Sequence, residues 1–256
     1  MKIGICGMGI VGQTIYDFYK NKGIEVIGYD KYKKINKLDD IIISEIIFLT
    51  LPTNYDEQTG LYNISEIEEI CEKLKDYEGI IVLKSTVIPG TTRELKEKYK
   101  IKNIIHNPEF ISEKTREYDY ENQKQIVIGK EKDQNISELM NLYDIYHINS
   151  EISICTLEES EMMKMTVNTF YAVKIQYFTE IYIHCKKMGI EYERVRELCI
   201  KNGWINEMHT KVPGTDNKIS FGGKCLPKDS RVMKNIIPCN ELLKGMIQER
   251  DKMRDD

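Results

Sequence analysis

The chain has 256 residues, 37 basic and 41 acidic side chains and a formal net charge of −4. Its 41 % hydrophobic and 30 % charged residues exclude wholesale disorder, and the near balance of charge argues against non-specific binding to nucleic acid or to an anionic membrane. No run reaches the ~18 apolar residues of a membrane helix, since Ser44 and Glu45 interrupt the greasiest stretch, and Gly4, Gly7, Gly9 and Gly12 break any signal-peptide core.

In chain order, residues 3–5 read as a short strand, 11–21 as a helix, 25–29 as a strand and 46–51 as a strongly apolar strand. A helix follows over 64–75, a strand over 79–84, a helix over 91–99, and short strands at 104–105 and 125–128. Strands alternating with helices predict parallel βαβ units in a doubly wound sheet. The texture changes near residue 150. No Gly or Pro occurs over 157–188, while Met162, Met165, Phe170, Val173, Tyr177 and Ile181 recur at helical spacing. That pattern predicts one helix of about 30 residues. Gly189 ends it, and a second helix over 192–201 is closed by Gly203. Residues 204–228 lack periodicity and read as loop, 240–252 as a last amphipathic helix, and 249–256 as a charged tail that frays.

Gly7-Met8-Gly9-Ile10-Val11-Gly12 is G-x-G-x-x-G, placed between a strand and a helix, with Asp30 at the end of the next strand. In that arrangement the glycines admit a pyrophosphate to the helix start and the acid accepts from ribose hydroxyls. The bland alternative is a glycine-rich turn in an unrelated α/β protein. Correct placement of strand, helix and acid favours a dinucleotide, and Asp30 favours NAD over NADP because it would repel a 2′-phosphate. The fold class is therefore α/β, with an N-terminal Rossmann-like doubly wound sheet over 1–153 and a mainly helical central domain over 154–256 built on one long helix.

The seven cysteines (Cys6, Cys71, Cys155, Cys185, Cys199, Cys225 and Cys239) are odd in number and contain no C-x-x-C pair. That argues against a disulfide framework and a standard zinc site, and suggests reduced thiols in a cytosol-like compartment. One stands out. Phe221-Gly222-Gly223-Lys224-Cys225-Leu226-Pro227-Lys228-Asp229 sets a thiol between two lysines after two glycines. Alone it reads as a tight turn with a buried Cys. Beside a dinucleotide, a lysine-flanked thiolate is what oxidation of an aldehyde through a thioester needs.

These motifs, with Leu51-Pro52-Thr53-Asn54-Tyr55, Lys84-Ser85-Thr86-Val87-Ile88-Pro89-Gly90, Asn107-Pro108-Glu109-Phe110 and residues 161–180, resemble the UDP-glucose/GDP-mannose dehydrogenase family. The likeness is strongest to its UDP-glucose branch and to compact viral or phage members. The resemblance implies double oxidation of a sugar C6 alcohol to a uronic acid, with UDP-glucose as the favoured substrate and NAD as cofactor. It implies Cys225 as nucleophile, Lys164 as base, Asn168 with Lys164 as oxyanion support, and Asp229 as the acid that assists Lys164. It implies that Glu109 and Glu113 handle substrate protons and water, and that Thr86 orients that water. It further implies NAD contacts from Gly7, Gly9, Ile10, Val11, Gly12, Asp30, Lys31, Pro52, Thr53, Thr86, Glu113 and Lys228. Substrate contacts are implied for Glu109, Phe110, Lys164, Asn168, Phe221, Gly222 and Cys225.

Without the resemblance, Lys164 and Asn168 are an i, i+4 pair on one helix face, read as a solvated lysine and a helix–helix hydrogen bond. Glu109 and Glu113 would mark an exposed helix face, and Thr86 a helix cap. The four histidines, including His106, receive no role, and no metal is expected. Trp204 is expected to be partly buried in the core.

Two departures from the family pattern stand out. Only 27 residues follow Asp229, so the nucleotide-gripping C-terminal domain is expected to be absent. Gly203-Trp204-Ile205-Asn206-Glu207 stands where a D-x-R-I-G arginine is usual, leaving Arg231 and Lys211 as possible stand-ins. Lost remote contacts should raise KM, and kcat falls where they position C6. The long helix over 157–188 is expected to form a homodimer or a higher homo-oligomer. The expected location is the cytoplasm, or a host's cytosol for a viral protein. The alternatives are a GDP-mannose or UDP-N-acetylhexosamine dehydrogenase, a simple alcohol or β-hydroxyacid dehydrogenase, and a non-catalytic NAD-binding module.

Overall fold

The apolar runs of the first half have to bury both faces of each strand, which calls for helices on either side of a sheet. The computed structural model describes residues 1–256 and divides into two units, Met1–Asn54 with Asn63–Lys164, and Tyr55–Tyr62 with Met165–Asp256. The first unit opens with β1 (Lys2–Cys6), α1 (Ile10–Asn21), β2 (Glu25–Tyr29), α2 (Leu38–Ile42) and β3 (Ile46–Leu49). After β3 the chain contributes a hairpin to the second unit, β4 (Tyr55–Asp56) and β5 (Leu61–Tyr62). The first unit resumes with α3 (Ser65–Lys73), β6 (Ile80–Leu83), α4 (Thr91–Tyr99) and β7 (Ile104–His106). It closes with α5 (Arg116–Glu121), β8 (Gln125–Gly129), α6 (Ser137–Tyr146), β9 (Glu151–Cys155) and the start of α7 (Leu157–Met188).

The sheet order is β2-β1-β3-β6-β7-β8-β9. The order reverses between β1 and β3, and ligands of such sheets collect beyond the carboxyl ends of the strands at that reversal. Alternate side chains feed two cores. Ile3, Ile5, Ile46, Phe48, Val82 and Ile128 pack with Ile15 and Tyr19 of α1 and Leu139 and Leu142 of α6. Ile47, Leu49, Ile81, Leu83 and Ile104 pack with Ile67 and Ile70 of α3. Each such aliphatic side chain contributes roughly 1.5–3 kcal/mol by leaving water.

One expectation fails within this sheet. β8 meets β7 antiparallel, at His106 and Gly129, whereas every other neighbouring pair is parallel. An antiparallel neighbour needs no crossover, so the chain turns through the short α5 at the end where β7 finishes and enters β8 from there. Pattern reading also missed α2, the β4–β5 hairpin, α5, α6 and β9, most of which are too short to show a period. A buried carboxylate ties the start of α7 to this unit. Glu161 accepts from the Gly90 and Thr92 N–H groups at 2.6 and 2.8 Å and from the Thr92 hydroxyl at 2.6 Å, which satisfies the open amino end of α4.

In the second unit α7 continues and is followed by α8 (Tyr192–Lys201), α9 (Leu226–Ile236) and α10 (Glu241–Met253). Phe178 and Cys185 of α7 pack with Tyr192 and Val212, and the β4–β5 hairpin packs on α9. Three readings are corrected here. The loop expected through residue 228 gives way to helix at Leu226, because Pro227 in the first turn pre-sets helical geometry without losing a bond. The charged run is no loose tail from residue 249, for helix continues to Met253 and Arg250 and Arg254 are buried. Trp204 is 90 % exposed, since nothing in its own loop covers it.

Candidate active site

In the first unit the glycine turn follows β1 at the reversal point. Gly7 has φ +96°, and a Cβ on Gly12 would lie 1.9 Å from the Gly7 carbonyl oxygen, so both positions require glycine. Nothing lies within 4 Å of where a Gly9 Cβ would stand, which leaves the first turn of α1, at Ile10 and Val11, open to a phosphate. Asp30 ends β2. One carboxylate oxygen accepts from the Met8 N–H at 2.9 Å, the other from the Tyr32 and Lys33 N–H groups at 3.0 and 2.8 Å. Those bonds fix the group and leave acceptor capacity for a ribose hydroxyl. These residues fit a dinucleotide. Lys31, by contrast, is turned to Glu69 of α3 at 2.9 Å.

Beyond β3 and β6, Thr53 donates its hydroxyl to the Thr86 carbonyl at 2.8 Å, which joins two residues expected at the cofactor; Pro52 beside them is exposed. Lys164 is only 4 % exposed. Its ammonium donates to the Glu109 carbonyl, lies 3.7 Å from the Glu109 carboxylate and sits 4.6 Å from the Phe110 ring centre. So Glu109, Phe110 and Lys164 are brought together. Glu113 is not, being exposed on an irregular segment rather than a helix face.

Behind them lies a buried network that motif reading quoted without a role. Lys84 donates to the Asn107 side-chain carbonyl at 2.8 Å, and Tyr143 donates to the same oxygen at 2.5 Å. Burial pushes the Lys84 ammonium down to about 7, against the pull of Glu109. His106 beside it is pushed by burial to about 3 and is neutral at neutral pH.

In the second unit Cys225 stands at the N-cap of α9, where the partial positive charge of a helix start favours an anion. Contrary to the bland reading of a buried turn cysteine, it is exposed, a property it shares only with Cys239 among the seven. Cys6 and Cys71 are buried, and burial pushes both thiols up to about 12. One turn beyond Cys225, Asp229 is fully buried and accepts from three donors. These are the Tyr62 hydroxyl at 2.7 Å, the Lys228 ammonium at 2.8 Å and the Asn168 amide at 2.6 Å.

Tyr62 is the member that motif reading missed. It arrives from β5, whose two residues are too few to show alternation; the only local signal was the turn residue Gly60, at φ +72°. Burial first, then the Asp229 charge, raises its hydroxyl well above the usual tyrosine range, so it donates at all ordinary pH. Phe221 is buried, while Gly222 is covered by the side chain of Arg254. Arg231, a possible stand-in for the missing arginine, pairs with Asp251 at 2.9 Å, and Lys211 is exposed. No helix is long and apolar enough to cross a membrane.

The NAD binding domain of the UDP-glucose/GDP-mannose dehydrogenase family matches residues 39–147, and the central domain of that family matches residues 158–254. A UDP-glucose 6-dehydrogenase of Streptococcus pneumoniae is 26 % identical, over 100 % of this chain and 74 % of its own length. A GDP-mannose 6-dehydrogenase of Pseudomonas aeruginosa is 27 % identical, over 91 % of this chain and 63 % of its own length. A solved UDP-glucose dehydrogenase from Pyrobaculum islandicum shares the fold, with a TM-score of 0.86 at 19 % identity, over 98 % of this chain and 68 % of that one. Both family domains together span well over half of the residues, and the chain belongs to the UDP-glucose/GDP-mannose dehydrogenase family.

Proposed function

We propose that this protein oxidises the C6 alcohol of UDP-glucose twice, to UDP-glucuronate, with Cys225 as the covalent nucleophile. The observation that carries the reading is an exposed thiol at a helix start, one turn from a buried carboxylate held by three donors. When bound, NAD supplies the hydride acceptor, two per sugar, for the balance R–CH2OH + 2 NAD+ + H2O → R–COO− + 2 NADH + 3 H+.

The chain's own residues manage the protons and the carbon. As the aldehyde forms, the Lys164 ammonium passes a proton to the Glu109 carboxylate 3.7 Å away and takes the alcohol proton in its place. The Cys225 thiolate adds to the aldehyde carbon, whose oxygen takes up a proton, giving a thiohemiacetal. Loss of that proton and of the C6 hydrogen leaves a thioester. Water then attacks, the C–S bond breaks, and the thiolate is restored with release of the acid. Asn168 and Lys164 stabilise the oxyanions. Glu109 handles the protons of the alcohol and the water, Asp229 assists Lys164, and Thr86 orients that water. A homodimer through α7 is part of the same proposal, supported by the exposed Phe170 and Tyr177 on that helix. We place the reaction in the cytosol, with soluble nucleotide sugars.

A GDP-mannose reading is kept open by the Pseudomonas aeruginosa relative. A panel of UDP-glucose, UDP-N-acetylglucosamine and GDP-mannose, followed by NADH absorbance, separates the readings. We expect kcat/KM for UDP-glucose to exceed the others by about tenfold or more, a margin of ~1.4 kcal/mol. Equal turnover of all three removes the specificity. NAD binding without turnover of any sugar leaves a binding module.

A further inference from the structure

The segment that leads into Cys225 is held by arginines of the last helix. Arg250 Nε donates to the Phe221 carbonyl at 3.2 Å, and its guanidinium lies 5.9 Å from the Phe221 ring centre. Arg254 reaches further along the same segment. Its Nη1 donates to the Ser220 carbonyl at 3.2 Å and lies 3.5 Å from that of Ile219. Its Nη2 donates to Asp216 at 2.7 Å and to Asp256 at 2.8 Å, and its Nε donates to Asp256 at 2.7 Å.

The Arg254 side chain is 2 % exposed. Burying a guanidinium is costly unless all its donors are met, and two carboxylates and the backbone carbonyls meet them here. The same guanidinium explains a glycine. A Cβ on Gly222 would lie 2.1 Å from Arg254 Nη2 and 2.3 Å from Cζ, so position 222 is bare because an arginine lies on it. From α7, Thr179 accepts from the Ser220 N–H at 3.1 Å, and Gln176 accepts from the Ser220 hydroxyl at 2.6 Å. Ser220 at φ +62° and Gly223 at φ +77° fix the turns on either side of Gly222. Two residues separate Gly222 from Cys225, so the three steps between them span at most about 11 Å of chain, which leaves little slack between clamp and thiol.

We propose that Arg254 is a positioning residue for Cys225: by lying on Gly222 it fixes the backbone that presents the thiol at the start of α9. The proposal rests on the reading of Cys225 as nucleophile. Lysine at position 254 keeps the charge but loses the planar fork, so it can restore only part of the effect.

The test compares Arg254→Met and Arg254→Lys with the unaltered protein, by the pH dependence of Cys225 alkylation with iodoacetamide and by NADH released per UDP-glucose with semicarbazide as aldehyde trap. Peptide mass identifies the alkylated residue. Because Cys225 is already exposed, its alkylation rate reports thiolate rather than access. For Arg254→Met we expect on the order of tenfold slower alkylation at neutral pH and a tenfold to hundredfold fall in kcat. KM for NAD should be unchanged, and trapped aldehyde should lower the NADH yield from two toward one. Arg254→Lys should fall between, and serves alone where the methionine variant does not fold. A purely structural role lowers the active fraction and leaves the yield at two. Unchanged alkylation together with a yield of two in both variants overturns the proposal. A Cys225→Ser control that still yields two NADH overturns the nucleophile reading instead, and alkylation alone then decides the case of Arg254.

Discussion

Cys225→Ser is expected to stop the reaction halfway. A serine hydroxyl carries almost no alkoxide at neutral pH, so acid formation should fall on the order of 10⁴-fold, about 5.5 kcal/mol in barrier. The first oxidation needs no covalent bond to the protein and should persist, with free aldehyde accumulating and the NADH yield dropping from two per sugar to one at most. Chromatography of the products alongside NADH absorbance reads both quantities. A serine variant that keeps a full rate would favour the chemistry of a simple alcohol or β-hydroxyacid dehydrogenase, which needs no thiol.

Asp229→Asn is expected to have the second largest effect. The carboxylate is fully buried and accepts from Tyr62, Asn168 and Lys228. An amide of the same shape removes the charge opposite the Lys228 ammonium and turns an NH2 group toward one of the donors. Breaking a buried, hydrogen-bonded charge pair costs about 3–5 kcal/mol, reduced here because Lys228 keeps 18 % of its side chain in solvent. A loss of about 2–3 kcal/mol in urea denaturation is therefore expected. On the proposed role of Asp229 in assisting Lys164, kcat should also fall on the order of 10²–10⁴-fold. A variant with the stability loss but an unchanged kcat would make Asp229 a structural anchor only.

The parts of this site that were legible in the sequence are those written in adjacent residues. The glycine turn and Asp30 belong to one β-α-β unit, and their φ and packing demands are local, so spacing alone places them. The long helix was equally plain, because its 32 residues repeat one period many times. The donors around Asp229 were not legible in the same way. Tyr62 and Asn168 lie 167 and 61 residues from Asp229 in the chain, and only tertiary folding makes them neighbours. The clamp on Gly222 was hidden for a related reason: Arg250 and Arg254 sit in a charged run that resembles a solvated tail until their acceptors are in place. The start of α9 was available to a closer reading, since Pro227 marks a first helical turn.

The central claim is a double oxidation through one thiol, and the stoichiometry with UDP-glucose as limiting reagent tests it most directly. With NAD+ in excess, the account predicts two NADH and one UDP-glucuronate for each UDP-glucose consumed. One NADH with an aldehyde as final product, or no NADH from a protein that binds NAD, would contradict it.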